Sequence, residues 1–189
     1  MNTKPRLLVL FATWHGKARA IAEHITSIAL ANGIAAEAHE TAEIWRDGID
    51  PSYQAVIVVS SVHFGKHPQA MQRLVRSTVT QLGALQTAFV SISGASASLD
   101  GREEAEGYIR RFLRATGWDP DFSYACAGAT QFTKYGPFLR MMMKFTSRIA
   151  GRGTDTTHDY DYTNWSALDA FTHLFIERLH ERTQRRSVA

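Results

Sequence analysis

The chain has 189 residues, 44% of them hydrophobic and 21% charged, with a formal net charge of +3. That length and composition give room for a full core in one domain, residues 1–189, and exclude a disordered chain. One cysteine, Cys126, excludes an internal disulfide. No apolar run approaches the ~20 residues needed to span a bilayer, and Lys4 and Arg6 precede only a short one, so no signal peptide is expected. A cytoplasmic protein is expected, with room left for contact with a membrane surface.

The first predicted strand, Arg6–Phe11, stops at Ala12-Thr13-Trp14-His15-Gly16-Lys17, and a helical segment, Ala18–Ala31, follows. A buried parallel strand that feeds a tight loop and then a helix makes an anion site. Backbone N–H groups converge there, and the helix N-terminus adds a partial positive charge. Thr13 contributes a hydroxyl, Gly16 lets the backbone approach closely, and Lys17 and His15 add cationic donors. The loop is neither G-x-x-x-x-G-K-[ST] nor G-x-G-x-x-G. Trp14 and Ala18 complete the candidate phosphate loop.

Further strands are expected at Ile34–Ala38, Ala55–Ser60, Ala88–Ile92 and Phe122–Ala127, and helices at Gln69–Gln81, Arg102–Ala115 and Ser166–Thr183. Val56–Val59 is apolar without alternation, as a strand covered on both faces should be. Gly33 and Gly117 mark helix ends. Ser166 to Asp169 has the form of a capping box, with Thr163 as the other candidate cap. Strands alternating with helices imply a doubly wound parallel sheet of flavodoxin-like order 2-1-3-4-5, with its ligand at the carboxyl ends of strands one and three. Cys126, on the fifth strand, is expected to be a buried, inert thiol.

Two more loops fall at those carboxyl ends. Ser61-Val62-His63-Phe64-Gly65, followed by Lys66-His67-Pro68, comes after the third strand, and its small polar residues with Phe64 and Gly65 suit a flat ring. His63 and His67 lie four apart, but Gly65 between them and Pro68 after them break the helix that a metal pair would need. Both histidines are expected to be solvated. Ser93-Gly94-Ala95, after the fourth strand, lets another group come close to the backbone. No metal site is expected.

Residues 128–164 form a long insert before the last helix, too long for an idle connection. Gln131–Gly153 carries Lys134, Arg140, Lys144, Arg148 and Arg152 and no acidic residue. Arg140, Lys144, Arg148 and Arg152 recur every four residues and would stripe one helix face, with Phe138, Met142, Phe145 and Ile149 opposite. A basic amphipathic helix with three consecutive methionines reads as an element for an anionic ligand or a membrane surface. A core-packed helix with a solvated basic face is the alternative. Nucleic acid is not expected, since no recognition motif is present.

These residues together resemble a family. Leu10-Phe11-Ala12-Thr13 with Gly16, Ser61-Val62-His63-Phe64-Gly65, Gly128-Ala129, and the ending Gly151-Arg152-Gly153-Thr154-Asp155-Thr156 with Tyr162-Thr163-Asn164-Trp165 are similar to the flavodoxin-like, quinone-dependent protoporphyrinogen IX dehydrogenases of bacterial haem synthesis. The ending is the most distinctive part. The resemblance implies FMN, with its phosphate on residues 13–18 and its ring between the second and third loops. It also implies a porphyrinogen substrate, a membrane quinone as acceptor, and peripheral contact with the cytoplasmic face of the inner membrane. Lys134, Arg140, Met142, Lys144 and Arg148 would meet substrate or anionic lipid, and His63 is the one candidate catalytic side chain. Such families carry Ser or Thr at both ends of the phosphate loop, where this chain has Ala12 and Ala18. Asn164 replaces a usual Asp, a change expected to affect only the helix cap. A flavodoxin-type electron carrier, a generic quinone reductase and a cofactor-free relative are the rival readings.

Overall fold

The computed structural model describes residues 4–13, 16–41, 48–130 and 160–188. Five strands, β1 (Arg6–Ala12), β2 (Ala35–Glu40), β3 (Ala55–Ser61), β4 (Gln86–Ser93) and β5 (Phe122–Ala127), form one parallel sheet in the order β2-β1-β3-β4-β5. Every pairing is parallel, with Leu7 opposite Ala55, Val56 opposite Thr87 and Ala88 opposite Phe122. The expected strand order and strands are present. The central strands β3 and β4 are buried along their whole length, which is why their sequences do not alternate.

Helices α1 (Lys17–Ala31), α2 (Gln69–Gly83), α3 (Arg102–Thr116) and α4 (Trp165–Val188) cover both faces. One core packs Leu7, Val9 and Phe11 of β1 against Ile21 and Ile25 of α1 and Phe175 and Leu179 of α4. The other packs Leu8 and Leu10 with Val56 and Val58 against Met71 and Leu74 of α2 and Phe112 of α3. Alternate residues of the same strand therefore serve opposite layers, as the period of two demands. Asn164 caps α4, with its Oδ1 accepting the Ala167 N–H at 3.0 Å. The cap is thus neither Ser166 nor Thr163: the helix begins two residues earlier than a Ser166 cap would give, at Trp165, and the Thr163 hydroxyl is spent on the Ala127 carbonyl at 3.0 Å.

The ends of the insert are tied together. Ala129–Thr130 (β6) pairs antiparallel with Tyr160–Asp161 (β7), and the Tyr162 N–H donates to the Gly128 carbonyl at 3.2 Å. Gly128 is pressed against the end of β4: its N–H donates to Ser93 O at 3.1 Å, and a Cβ there would stand 3.2 Å from Ile92 Cγ2. The basic helix expected between β6 and β7 lies outside the described residues, as do Lys134, Arg140, Met142, Lys144 and Arg148.

Candidate functional site

The strand order brings three loops to the carboxyl ends of β1, β3 and β4, where open α/β sheets bind ligands. In the first loop, Gly16 takes φ 88 and caps α1. Its N–H donates to Thr13 Oγ1 at 2.8 Å, a tight turn that leaves the Thr13 O–H able to donate onward. α1 carries no acidic residue of its own in its first turn. Ala18 is fully buried and serves packing. Trp14 and His15 lie outside the described residues.

Lys17, the first residue of α1, donates from Nζ to Asp161 Oδ1 at 2.8 Å and lies 4.5 Å from the centre of the Trp165 ring. Burial pushes the Asp161 carboxyl up, but Lys17 and the Thr163 hydrogen bonds together hold it below its ordinary value. The carboxylate is therefore ionised at neutral pH. The pairing of Lys17 with Asp161 and Trp165 escaped sequence reasoning because they lie 144 and 148 positions from it. The signal was present: Trp165 closes the Tyr-Thr-x-Trp ending and Asp161 immediately precedes it.

The second loop reverses direction between His63 and Lys66, which exchange backbone hydrogen bonds at 2.8 and 3.1 Å. Phe64 and Gly65, the central pair, take φ 49 and φ 76, as a tight primed turn requires. Phe64 stands at the tip, 75% exposed. Val62 donates to the Ile92 carbonyl at 2.7 Å, which binds this loop to β4, and Ser61 is buried beneath. His67 is not a solvated loop residue, contrary to the sequence expectation. It is buried edge-on between Phe89 and Phe112, with Nε2 3.2 Å from Ser91 Oγ. Burial first, then the like charges of His63 and Arg111, push its pKa down to about 3. The ring is a neutral plug that anchors the loop in the core.

In the third loop, the Ser93 and Ser96 hydroxyls meet at 2.8 Å, Gly94 is exposed, and Ala95 is buried at the start of a short 3-10 turn, Ala95–Ala97. The turn is packed against Gly101, where a Cβ would come within 2.0 Å of the Ala95 carbonyl oxygen. Leu99 beyond it is 81% exposed. Cys126 is buried as expected, and burial pushes its thiol up to about 12, so it stays protonated.

The residues present suit a flavin mononucleotide. An acid-free helix start with a fixed lysine matches a phosphate, and small backbone-rich loops with an exposed aromatic ring match a flat heterocycle. A separate cleft of about 560 Å³ lies at the opposite end of the sheet, beside Gln86, Asp121 and Phe122. It is far from all three loops, and two of its arginines, Arg178 and Arg185, share Glu181.

Comparisons with known proteins agree with this geometry. A family model described as Flavodoxin domain matches residues 8–157. The protoporphyrinogen IX dehydrogenase [quinone] of Escherichia coli (strain K12) is 29% identical over 167 residues, covering 88% of this chain and 92% of that protein. A protein of the same name from Leishmania major is 27% identical over 176 residues, covering 90% and 74%. Among solved structures, the rubredoxin oxygen:oxidoreductase of Desulfovibrio gigas aligns with a TM-score of 0.53 at 11% identity, over 94% of this chain and 37% of that one, a likeness of fold alone. The chain therefore belongs to the flavodoxin domain family, and the resemblance read from its motifs extends over about nine-tenths of its length.

Proposed function

We propose that the three loops hold FMN and that the protein oxidises protoporphyrinogen IX to protoporphyrin IX in successive two-electron steps, three in all, each reducing one quinone to its quinol. The observation that carries this reading is Phe64. A bulky residue in the left-handed region costs about 1–2 kcal/mol, and such strain gathers at ligand sites. Here the strained residue also holds its ring in solvent, 75% exposed, at the carboxyl end of a central strand. That arrangement suits a flat aromatic partner. The names of the relatives supply the substrate and acceptor classes.

The bound flavin would supply the two-electron chemistry. The chain's residues bind and orient. Lys17 and the first turn of α1 take the phosphate charge, with Thr13 as hydroxyl donor. Ser61, Val62, His63, Phe64 and Gly65 take one side of the ring system, and Ser93, Gly94 and Ala95 the other. His63, at the base of the turn, is assigned as the proton acceptor for hydrogen leaving the porphyrinogen. The tied neck of the insert supports the same reading, because it stands against Ser93 on one side and Lys17 on the other. In this reading Lys134, Arg140, Lys144 and Arg148, which lie outside the described residues, would pair with propionates or anionic lipid headgroups, and Met142 would meet apolar surface. Among the described residues, no helix is long and apolar enough to cross a membrane. Contact with a quinone-bearing bilayer is accordingly proposed as peripheral.

The test is porphyrin fluorescence under anaerobic conditions, with purified protein, protoporphyrinogen IX and a soluble quinone. Fluorescence should rise only when all three are present. A flavin-loaded protein that produces no porphyrin would refute the substrate assignment and leave an electron carrier.

A further inference from the structure

Lys17 is tied more closely than a surface lysine needs to be. Its side chain is only 12% exposed, with the Asp161 carboxylate at 2.8 Å and the Trp165 ring centre at 4.5 Å. Both partners are themselves fixed. Asp161 Oδ1 also accepts the Thr163 N–H at 3.0 Å. Trp165 packs against the α1–α4 core and meets His24 edge-on at 4.8 Å. Joining α1 to α4 does not require this arrangement, because His24 and Asp169 already do so at 2.6 Å. What sets Lys17 apart is its place at the positive end of α1. The loop beside it has Ala12 and Ala18 at its two ends and Thr13 between Ala12 and Gly16.

A lysine recruited from solvent loses the freedom of a long, flexible stem when it closes on an anion. A clamped lysine has already lost it. Its remaining N–H donors also act beside an aromatic ring rather than in bulk water, where charge-assisted bonds are stronger. We infer that Asp161 and Trp165 are positioning residues that hold Lys17 as a standing cation at the first loop, and that this clamp gives the site its preference for a phosphate-bearing flavin over the same flavin without phosphate. The inference rests on the flavin reading above. The negative charge of Asp161 opposes a phosphate through space, so removing it separates a clamp from a competitor by the sign of the effect.

The experiment titrates the cofactor-free protein with FMN and with riboflavin, reading the quenching of flavin fluorescence. Wild type should bind FMN at least about tenfold more tightly than riboflavin, the scale of one charge-assisted contact. Lys17→Met should lower that ratio about tenfold by weakening FMN alone. Asp161→Ala should weaken FMN several-fold and leave riboflavin unchanged. Trp165→Leu should do the same, and Trp165→Phe, which keeps an aromatic face, should restore most of the ratio. Thermal melts confirm folding, and a merely structural role would weaken both flavins together. An Asp161→Ala protein whose FMN-to-riboflavin ratio is unchanged or larger overturns the clamp while the flavin reading stands. A wild-type protein that binds neither flavin removes both.

Discussion

Phe64 and Gly101 sit at opposite extremes of backbone tolerance, and both bear on the site. Phe64→Gly relieves a left-handed φ of 49, so stability should hold or rise by up to ~1 kcal/mol. FMN affinity should nevertheless fall, because the exposed ring is lost. A thermal melt and a flavin titration on one sample read both. Gly101→Ala should do the reverse. Its Cβ would meet the Ala95 carbonyl oxygen at 2.0 Å, and overpacking costs ~1–3 kcal/mol. The control, Gly83→Ala, meets nothing within 4 Å and should be neutral or slightly stabilising in urea denaturation. His67 predicts an acid-labile fold. Its folded pKa is pushed down to about 3 from 6.5, so between those values the unfolded chain binds a proton that the folded chain refuses. Stability is full above about pH 6.5 and falls as pH drops, by ~1.4 kcal/mol per unit. Urea denaturation should show wild type losing about 2 kcal/mol between pH 7 and pH 5. His67→Phe, between Phe89 and Phe112, should remove most of that slope. Sequence placed His67 in solvent because its neighbours Lys66 and Pro68 read as loop; the aromatic slot that receives it comes from β4 and α3.

At the scale of elements, the strands were legible wherever burial is two-sided. β3 has no alternation to misread. β4 begins two residues before its apolar run because buried Gln86 and Thr87 are satisfied from afar, Gln86 Nε2 by the Phe175 carbonyl at 2.7 Å and the Thr87 N–H by Asp121 at 2.7 Å. A polar start to a strand reads as loop until those partners are known. The same holds for β2, whose outer half is polar. There Glu37 accepts from the Tyr53 hydroxyl and from Arg6 Nη2 at 2.9 Å, and lies 3.1 Å from His39 Nε2. The Tyr53 hydrogen bond, then His39, hold the Glu37 carboxyl below its usual value despite burial. Its stabilising contribution is therefore present above the unfolded carboxylate pKa and is lost as pH falls through the depressed folded value. With the side chain 42% exposed, screening limits that contribution to under ~1 kcal/mol. Glu37→Gln should be the less stable protein at pH 7 in denaturant titration, and the gap should close near pH 3. The clustering of the three loops was legible because topology alone brings the ends of β1, β3 and β4 together. The Lys17 clamp was not, because its members come from opposite ends of the chain.

Across the whole molecule, charge and chemistry divide by face. The carboxyl ends of the strands carry the lysine clamp, the strained aromatic turn and the neck of the basic insert, while the amino ends carry a cleft in which Arg178 and Arg185 are engaged with Glu181. A protein that takes hydrogen from an apolar, carboxylate-bearing ring and hands electrons to a lipid-dissolved acceptor has use for such a division. All of it turns on whether the carboxyl-end loops hold a flavin. The most direct measurement is the visible absorbance of the purified protein, mixed with FMN and passed through a desalting column. Flavin bands that travel with the protein, and weaken in Lys17→Met, are the predicted result. A colourless protein peak, with all FMN retained among the small molecules, would contradict it.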